Sequence, residues 1–105
     1  MNLRGRYRKK VDFGFGYSVP ITFKDRVISQ GVPVAGVTTF VSKSKDNTTI
    51  EIDQKDPLCE QIDTYGHEII HAAIEFHRWL VMTYVLPLRE EAVRTEERLK
   101  KEEDA

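Results

Sequence analysis

The segment from Asp56 to Ile74 constrains the fold of this chain more than any other part of the sequence. Asp56-Pro57 is typical of a helix start, because aspartate caps free backbone N–H groups and proline suits the first helical position. Apolar side chains then recur at helical spacing: Leu58, Ile62, Ile69, Ile70, Ala73 and Ile74. The pattern predicts an amphipathic helix over residues 56–80 that must bury one face against another layer.

This predicted helix carries the run His67-Glu68-Ile69-Ile70-His71, which reads H-E-x-x-H. Positions i and i+4 lie on one helical face, so both imidazoles can reach the same cation. Two neutral histidine nitrogens at this spacing make half of a tetrahedral zinc site. A carboxylate beside the open coordination position can take a proton from a zinc-activated water. The motif therefore predicts a Zn²⁺ site with His67 and His71 as ligands and Glu68 as general base.

The sequence before this helix has the pattern of a small β-sheet. Residues 11–23 alternate large apolar and other side chains, which predicts one half-buried strand, with Gly14 and Gly16 on its small face. Two further strands are predicted at residues 37–41 and 48–52. Turns are predicted between them, one within residues 27–34 and one at residues 42–47. An antiparallel meander over residues 11–53 connects these elements most simply.

Residues 87–104 predict a second helix of different character. Pro87 indicates a break after the motif helix. The sequence that follows is rich in Arg, Lys and Glu and has only a thin apolar stripe, so most of its side chains should face solvent. The expected fold class is therefore α+β: a small antiparallel sheet of about three strands packs on the motif helix and on a charged C-terminal helix.

Length and composition limit the class of protein. The 105 residues allow one domain with a single core. The net charge of −1 gives no general attraction to nucleic acid, although a basic arm at residues 1–10 leaves nucleic acid open as a less favoured partner. The single Cys59 excludes an internal disulfide and is expected to be a small buried residue. Without a membrane-spanning run or a signal peptide, the sequence predicts a cytoplasmic protein with no membrane partner, and it leaves the oligomeric state open.

A catalytic zinc site needs a third protein ligand. His77 follows His71 by six residues, but in a continuous helix it is rotated by about 240° from His71. Glu90 and Glu91 lie on the next predicted helix. For Glu91 to reach the metal, the motif helix must end soon after His77 and residues 79–86 must fold back.

The run Thr64–Ala72 resembles the active-site helix of ImmA/IrrE-like peptidases and of SprT-like domains. Glu91, twenty residues after His71, resembles the glutamate ligand of gluzincins, and Arg89-Glu90-Glu91-Ala92 is similar to the Glu-Ala element of the ImmA/IrrE-like family. The resemblance covers roughly residues 48–92. It implies a minimal zincin domain in which Glu91 is the third zinc ligand, with Glu90 as second choice. His77 stays open as a further candidate because of its spacing from His71.

The predicted function is that of a zinc-dependent metallopeptidase acting on a peptide or protein substrate through a metal-activated water, with Glu68 as general base. The strand at residues 48–53 is expected to lie nearest the cleft and to pair with an extended substrate. Four residues stay open as oxyanion donors: Tyr65, His77, Tyr84 and Arg89. The main alternative is a zinc-binding, zincin-like interaction or regulatory module without general proteolytic activity. A metal-free interaction protein is a third hypothesis, which zinc retained through purification would exclude.

Overall fold

The structure is a computed structural model that describes residues 9–40 and 48–104. Residues 1–8 of the basic arm and the predicted turn at residues 42–47 lie outside the described residues. The described chain forms six strands, which are β1 (Lys10–Gly14), β2 (Tyr17–Lys24), β3 (Ile28–Ser29), β4 (Val32–Pro33), β5 (Gly36–Thr39) and β6 (Thr49–Asp53). A long helical run follows, made of α1 (Leu58–Leu80), a π-helical turn (Val81–Val85) and α2 (Leu86–Asp104).

The strands form a mixed four-stranded sheet and a separate two-stranded one. The larger sheet has the order β1-β2-β6-β5, and β3 pairs only with β4. Strands β2 and β6 run parallel, with Ile21 opposite Ile50, whereas β1–β2 and β5–β6 are antiparallel pairs. The α+β class is confirmed, but the predicted antiparallel meander is wrong.

The single strand predicted at residues 11–23 is in fact a hairpin. The backbone has positive φ at three successive residues, Gly14 (90°), Phe15 (55°) and Gly16 (74°). Glycine adopts this left-handed region without steric cost, so the two glycines turn the chain between β1 and β2. The alternation in the sequence does not distinguish one long strand from two paired strands that bury the same face.

The second departure from a meander is the position of β5. After β2 the chain forms the small β3–β4 hairpin through a turn at Gln30-Gly31. It then forms β5, which lies on the side of β6 away from β2. The turn predicted within residues 27–34 is confirmed. As a result β6 is an interior strand, and β5 is an edge of the larger sheet.

The core lies between this sheet and one face of α1. It contains Tyr17, Val19 and Ile21 from β2, Ile50 and Ile52 from β6, and Ala72 from α1. Each fully buried aliphatic side chain stabilises the fold by about 1.5–3 kcal/mol relative to exposure. The one phenol in this core is satisfied, because the Tyr17 hydroxyl shares a 2.6 Å hydrogen bond with the Thr48 hydroxyl.

The start of α1 differs in detail from the prediction. The helix begins at Leu58, Pro57 occupies the N-cap position, and no side chain caps it, so the predicted Asp56 cap is wrong. The buried Gln61 side chain instead donates to two backbone carbonyl oxygens, those of Gln54 at 3.1 Å and Asp56 at 2.8 Å. These bonds tie the first turn of α1 to the loop that follows β6.

Aromatic packing sets the rotation of α1 about its axis. The ring of Phe76 stacks on that of Phe13 of β1, with 5.3 Å between the ring centroids. The ring centroids of Trp79 and Tyr17 of β2 are 5.2 Å apart. These contacts turn the Phe76–Trp79 face of the helix toward the β1–β2 hairpin. The adjacent flank of α1, which carries Glu68, therefore lies beside β5.

The predicted break at Pro87 is wrong, because the helix continues from Leu58 to Asp104. Proline removes one backbone donor and its ring crowds the carbonyl four residues earlier. The wider π-helical turn directly before α2, where the Leu86 N–H bonds to the Val81 carbonyl, accommodates this without ending the helix. Every residue of α2 is exposed, so this helix adds nothing to the core and the molecule extends over 72 Å.

Two expectations about single residues are also corrected. Cys59 is exposed rather than buried. A glycine inside a helix costs about 1 kcal/mol relative to alanine, so Gly66 is expected to mark a close approach or a packing contact. It faces open space instead, because no other described segment lies within 4 Å of the Cβ that a side chain would add. In the part of the chain that the structure describes, no helix combines the length and the apolar character needed to cross a membrane.

Candidate metal centre

The two motif histidines converge on one point at the surface of α1. Their Nε2 atoms lie 2.9 Å apart, and their rings are arranged edge-to-face at an interplanar angle of 76°. Two ligands of a tetrahedral Zn²⁺ with bonds of about 2.0–2.1 Å are about 3.4 Å apart. The pair therefore fits a shared cation after a shift of a few tenths of an ångström. Without a cation, the same contact is a hydrogen bond in which one ring donates.

Glu68 lies beside the two histidines but is buried, with 6% of its surface exposed. One ligand atom each from His67, Glu68 and His71 lies within 4.8 Å of the others. The Thr38 hydroxyl of β5 lies 2.5 Å from Glu68 Oε2, to which it donates, and 3.1 Å from the Glu68 backbone carbonyl oxygen. This contact holds the carboxylate in one orientation between the helix and the sheet edge.

Gly36 explains how β5 comes so close to α1. A Cβ at this position would overlap Thr64 Cγ2, and it would lie 3.0 Å from the Glu51 carbonyl oxygen and 3.3 Å from Glu68 Cγ. Because no side chain fits there, only glycine lets the strand cross the helix directly above Glu68. The close approach that was expected at Gly66 thus occurs at the glycine on the strand.

Sequence reasoning missed Thr38 and Gly36 as site residues. Neither residue belongs to the motif, and both come to the site through the pairing of β5 with β6 and the packing of β5 on α1. A β-branched strand that contains a glycine is a common pattern, so local sequence carries no signal for this contact. Only the order of the strands in the sheet identifies β5 as the strand above the motif.

The structure does not bring the proposed third ligand to the histidines. Glu91 and Glu90 lie on α2, and at 1.5 Å per residue Glu91 is about 30 Å along the helix from His71. The condition that residues 79–86 fold back is not met in this extended helix. His77 is exposed and does not join the group. Among the described residues, one group brings three or more potential metal ligands together, and it consists of His67, Glu68 and His71.

Two of the oxyanion candidates, Tyr84 and Arg89, do not lie at the motif. Tyr84 packs against Phe15 and Trp79 on the hairpin side of the helix, and Arg89 lies on α2. Arg78 instead lines a depression with His71 and Thr38, and its guanidinium lies 3.0 Å from the Glu75 carboxylate. The sequence could have indicated it, because a residue seven positions after His71 lies two turns along the same helical face.

The strand nearest the site is β5, and the expectation that residues 48–53 lie at the cleft is wrong, because β6 is an interior strand. The Asp53 N–H donates to the Ala35 carbonyl at 2.8 Å. Antiparallel neighbours bond through alternate residues, so Val37 and Thr39 direct their backbone groups toward β6. Gly36 and Thr38 direct theirs toward the open edge, directly beside Glu68.

Comparison with known proteins assigns neither a family nor a function to this chain. The chain matches no protein-family model, no curated protein and no solved structure. A functional hypothesis for this chain must therefore depend on its motif and on the geometry around that motif.

Proposed function

We propose that this protein is a zinc-dependent metallopeptidase. The observation that carries the proposal is the convergence of the His67 and His71 Nε2 atoms beside a buried, oriented Glu68 carboxylate at an open sheet edge. A structural pair of helix histidines needs neither a buried carboxylate beside it nor a neighbouring edge strand. In a peptidase site both have a use, since the carboxylate can move a proton and the edge strand can hold an extended substrate.

Zinc, Glu68 and Thr38 have separate roles in the proposed hydrolysis. Bound Zn²⁺ supplies Lewis acidity, which polarises a peptide carbonyl and lowers the pKa of a water toward 7. Glu68 accepts a proton from the attacking water and delivers it to the departing amine, so one water is consumed and a carboxylate and an amine are formed. Thr38 is a positioning residue, because its hydroxyl sets the direction of the Glu68 carboxylate.

Substrate binding is assigned to the edge of β5. An extended peptide can add to this edge through the backbone groups of Gly36 and Thr38 that point away from β6. Because Thr38 also touches Glu68, a peptide bond held there lies beside the general base. Main-chain pairing of this kind suits unfolded or extended segments of a protein substrate.

We retain Glu91 as third zinc ligand, which requires α1 to end soon after His77 and residues 79–86 to fold back. Two exposed apolar residues, Ile70 (62%) and Ile74 (46%), lie on α1 beside the histidine pair. Leu88 on α2 is 65% exposed. Folding back of residues 79–86, which include the π-helical turn, would lay α2 over this apolar surface and bring Glu91 to His71, and π-helical turns often occur at functional sites.

The proposed activity is tested directly by metal dependence. We expect protein with one equivalent of Zn²⁺ to cleave an unstructured substrate such as casein, chelation to abolish cleavage, and stoichiometric Zn²⁺ to restore it. Cleavage sites are followed by mass spectrometry of the products. Cleavage that persists after complete removal of metal, or zinc-loaded protein that cleaves no peptide, contradicts the proposal.

The third ligand is tested by comparing Glu91→Ala with Glu90→Ala. Loss of a protein ligand should weaken zinc binding by more than about 100-fold in Glu91→Ala, whereas Glu90→Ala, its neighbour on the same exposed helix, should bind zinc as wild type does. Competition with a chromogenic chelator measures both affinities. Wild-type affinity in the Glu91 variant would show that the site forms without α2.

A zinc-binding module without general proteolytic activity is the second candidate. It is favoured by the inclusion of Glu68 itself in the group of potential ligands within 4.8 Å, while Glu90 and Glu91 lie far away. In that case Glu68 would coordinate the metal instead of moving protons. The two candidates therefore predict opposite effects of a Glu68 substitution on zinc content.

A further inference from the structure

Two depressions flank the histidine pair along the edge of β5. One, of about 340 Å³, is lined by Val37, Phe40, Ile74 and Arg78 together with His71. The other, of about 420 Å³, is lined by Ala35, Asp63 and Thr64 together with His67. Both depressions also contain Gly36 and Glu68 in their walls. The two depressions therefore adjoin at Gly36 and Glu68, with the candidate metal centre between them, and together they are called the groove.

The two ends differ in chemistry. At the first end, Phe40 and Ile74 are large exposed apolar side chains, and the Arg78 charge is balanced by Glu75 at 3.0 Å. This end suits a large apolar side chain, which buries surface without leaving a charge unpaired.

The second end is lined by small residues and is acidic. Ala35, Gly36 and Thr64 leave room beside the helix, and Asp63 contributes a carboxylate. Among the described residues, Asp63 has no ion-pair partner. A cationic side chain of a ligand would supply the missing opposite charge.

We infer that this groove selects extended peptides with a large apolar residue on the amino-terminal side of the scissile bond and a lysine or arginine on the carboxyl-terminal side. Asp63 binds the basic side chain. The inference rests on the proposed peptidase function. The chain passes from Ala35 at the acidic end, along β5, to Phe40 at the apolar end. A peptide paired antiparallel to β5, the slightly more stable arrangement, therefore places its earlier residues at the apolar end.

Binding is measured separately from cleavage so that the two proposals can fail independently. Fluorescent peptides with central Leu-Lys, Leu-Ala, Leu-Glu and Lys-Leu pairs are titrated into the zinc-loaded Glu68→Gln variant and followed by anisotropy. We expect Leu-Lys to bind best and Leu-Glu worst, with a difference on the order of five- to tenfold for one partly exposed charge pair. In Asp63→Lys combined with Glu68→Gln, Leu-Glu should bind better than Leu-Lys.

Asp12→Lys is the matched control, because it makes the same charge change at an exposed position on β1, the opposite edge of the larger sheet from β5, and should keep the original order. An unchanged order of peptides in the Asp63→Lys variant would overturn the assignment of Asp63. Preference for Lys-Leu over Leu-Lys would overturn the direction of binding. The expected preference in binding without cleavage by zinc-loaded wild type would support the groove and contradict the peptidase function.

Discussion

Glu68→Gln is expected to reduce peptide hydrolysis by about 10²–10⁴-fold while zinc stays bound. The amide has the shape of the carboxylate but cannot accept and return a proton near neutral pH. Its carbonyl oxygen can still accept the hydrogen bond from Thr38, which lies 2.5 Å from Oε2 in the wild-type chain. The fold and the two histidine ligands are therefore preserved, and the loss of rate reports the chemical role of the carboxylate.

Hydrolysis rate and zinc content should be measured on the same Glu68→Gln samples. Glu60→Gln provides the control for a lost carboxylate, since Glu60 is exposed in the first turn of α1 and lines neither depression. Turnover equal to wild type would contradict the general-base role. Zinc lost together with activity would favour the zinc-binding module, in which Glu68 is a ligand. The variant thus separates the two candidate functions with one pair of measurements.

The motif could be predicted from the sequence because it depends only on helix geometry. A separation of four residues places His67 and His71 on one face in any regular helix, and their Nε2 atoms indeed lie 2.9 Å apart. The apolar spacing likewise identified the helix itself. Such local features are determined by neighbouring residues, so they are recognisable without knowledge of the tertiary fold.

The surroundings of the motif could not be predicted in the same way. Whether β5 or β6 lies at the sheet edge depends on strand order, and residues 37–41 and 48–52 have similar β-branched patterns. Thr38 and Gly36 reach Glu68 only because β5 takes the outer position. Non-local pairing of this kind leaves no periodic signal in the sequence.

The segment between α1 and α2 shows a different limit of prediction from sequence. Proline predicts a helix break because it lacks a donor and crowds the preceding turn. The π-helical turn at Val81–Val85 meets both requirements within a continuous helix. A sequence rule based on α-helical geometry alone does not include that solution. The position of Glu91 relative to the histidines depends entirely on this segment.

His71→Ala is expected to lower zinc affinity by more than about 100-fold, because even changes to residues behind metal ligands commonly cost 10–100-fold. His71 is exposed, so its truncation should leave the metal-free fold almost unchanged. Added zinc should therefore raise the melting temperature of wild type but not of His71→Ala, since a ligand stabilises only the state that binds it.

His77→Ala is the matched control for this experiment. It removes a second exposed histidine from the same helix, but one that lies outside the group formed by His67, Glu68 and His71. Zinc should stabilise this variant as much as wild type. Equal stabilisation of wild type and His71→Ala would mean that the 2.9 Å contact between the two rings is a hydrogen bond without a metal function. Loss of stabilisation in His77→Ala as well would place the zinc site further along α1 and would require a different general base.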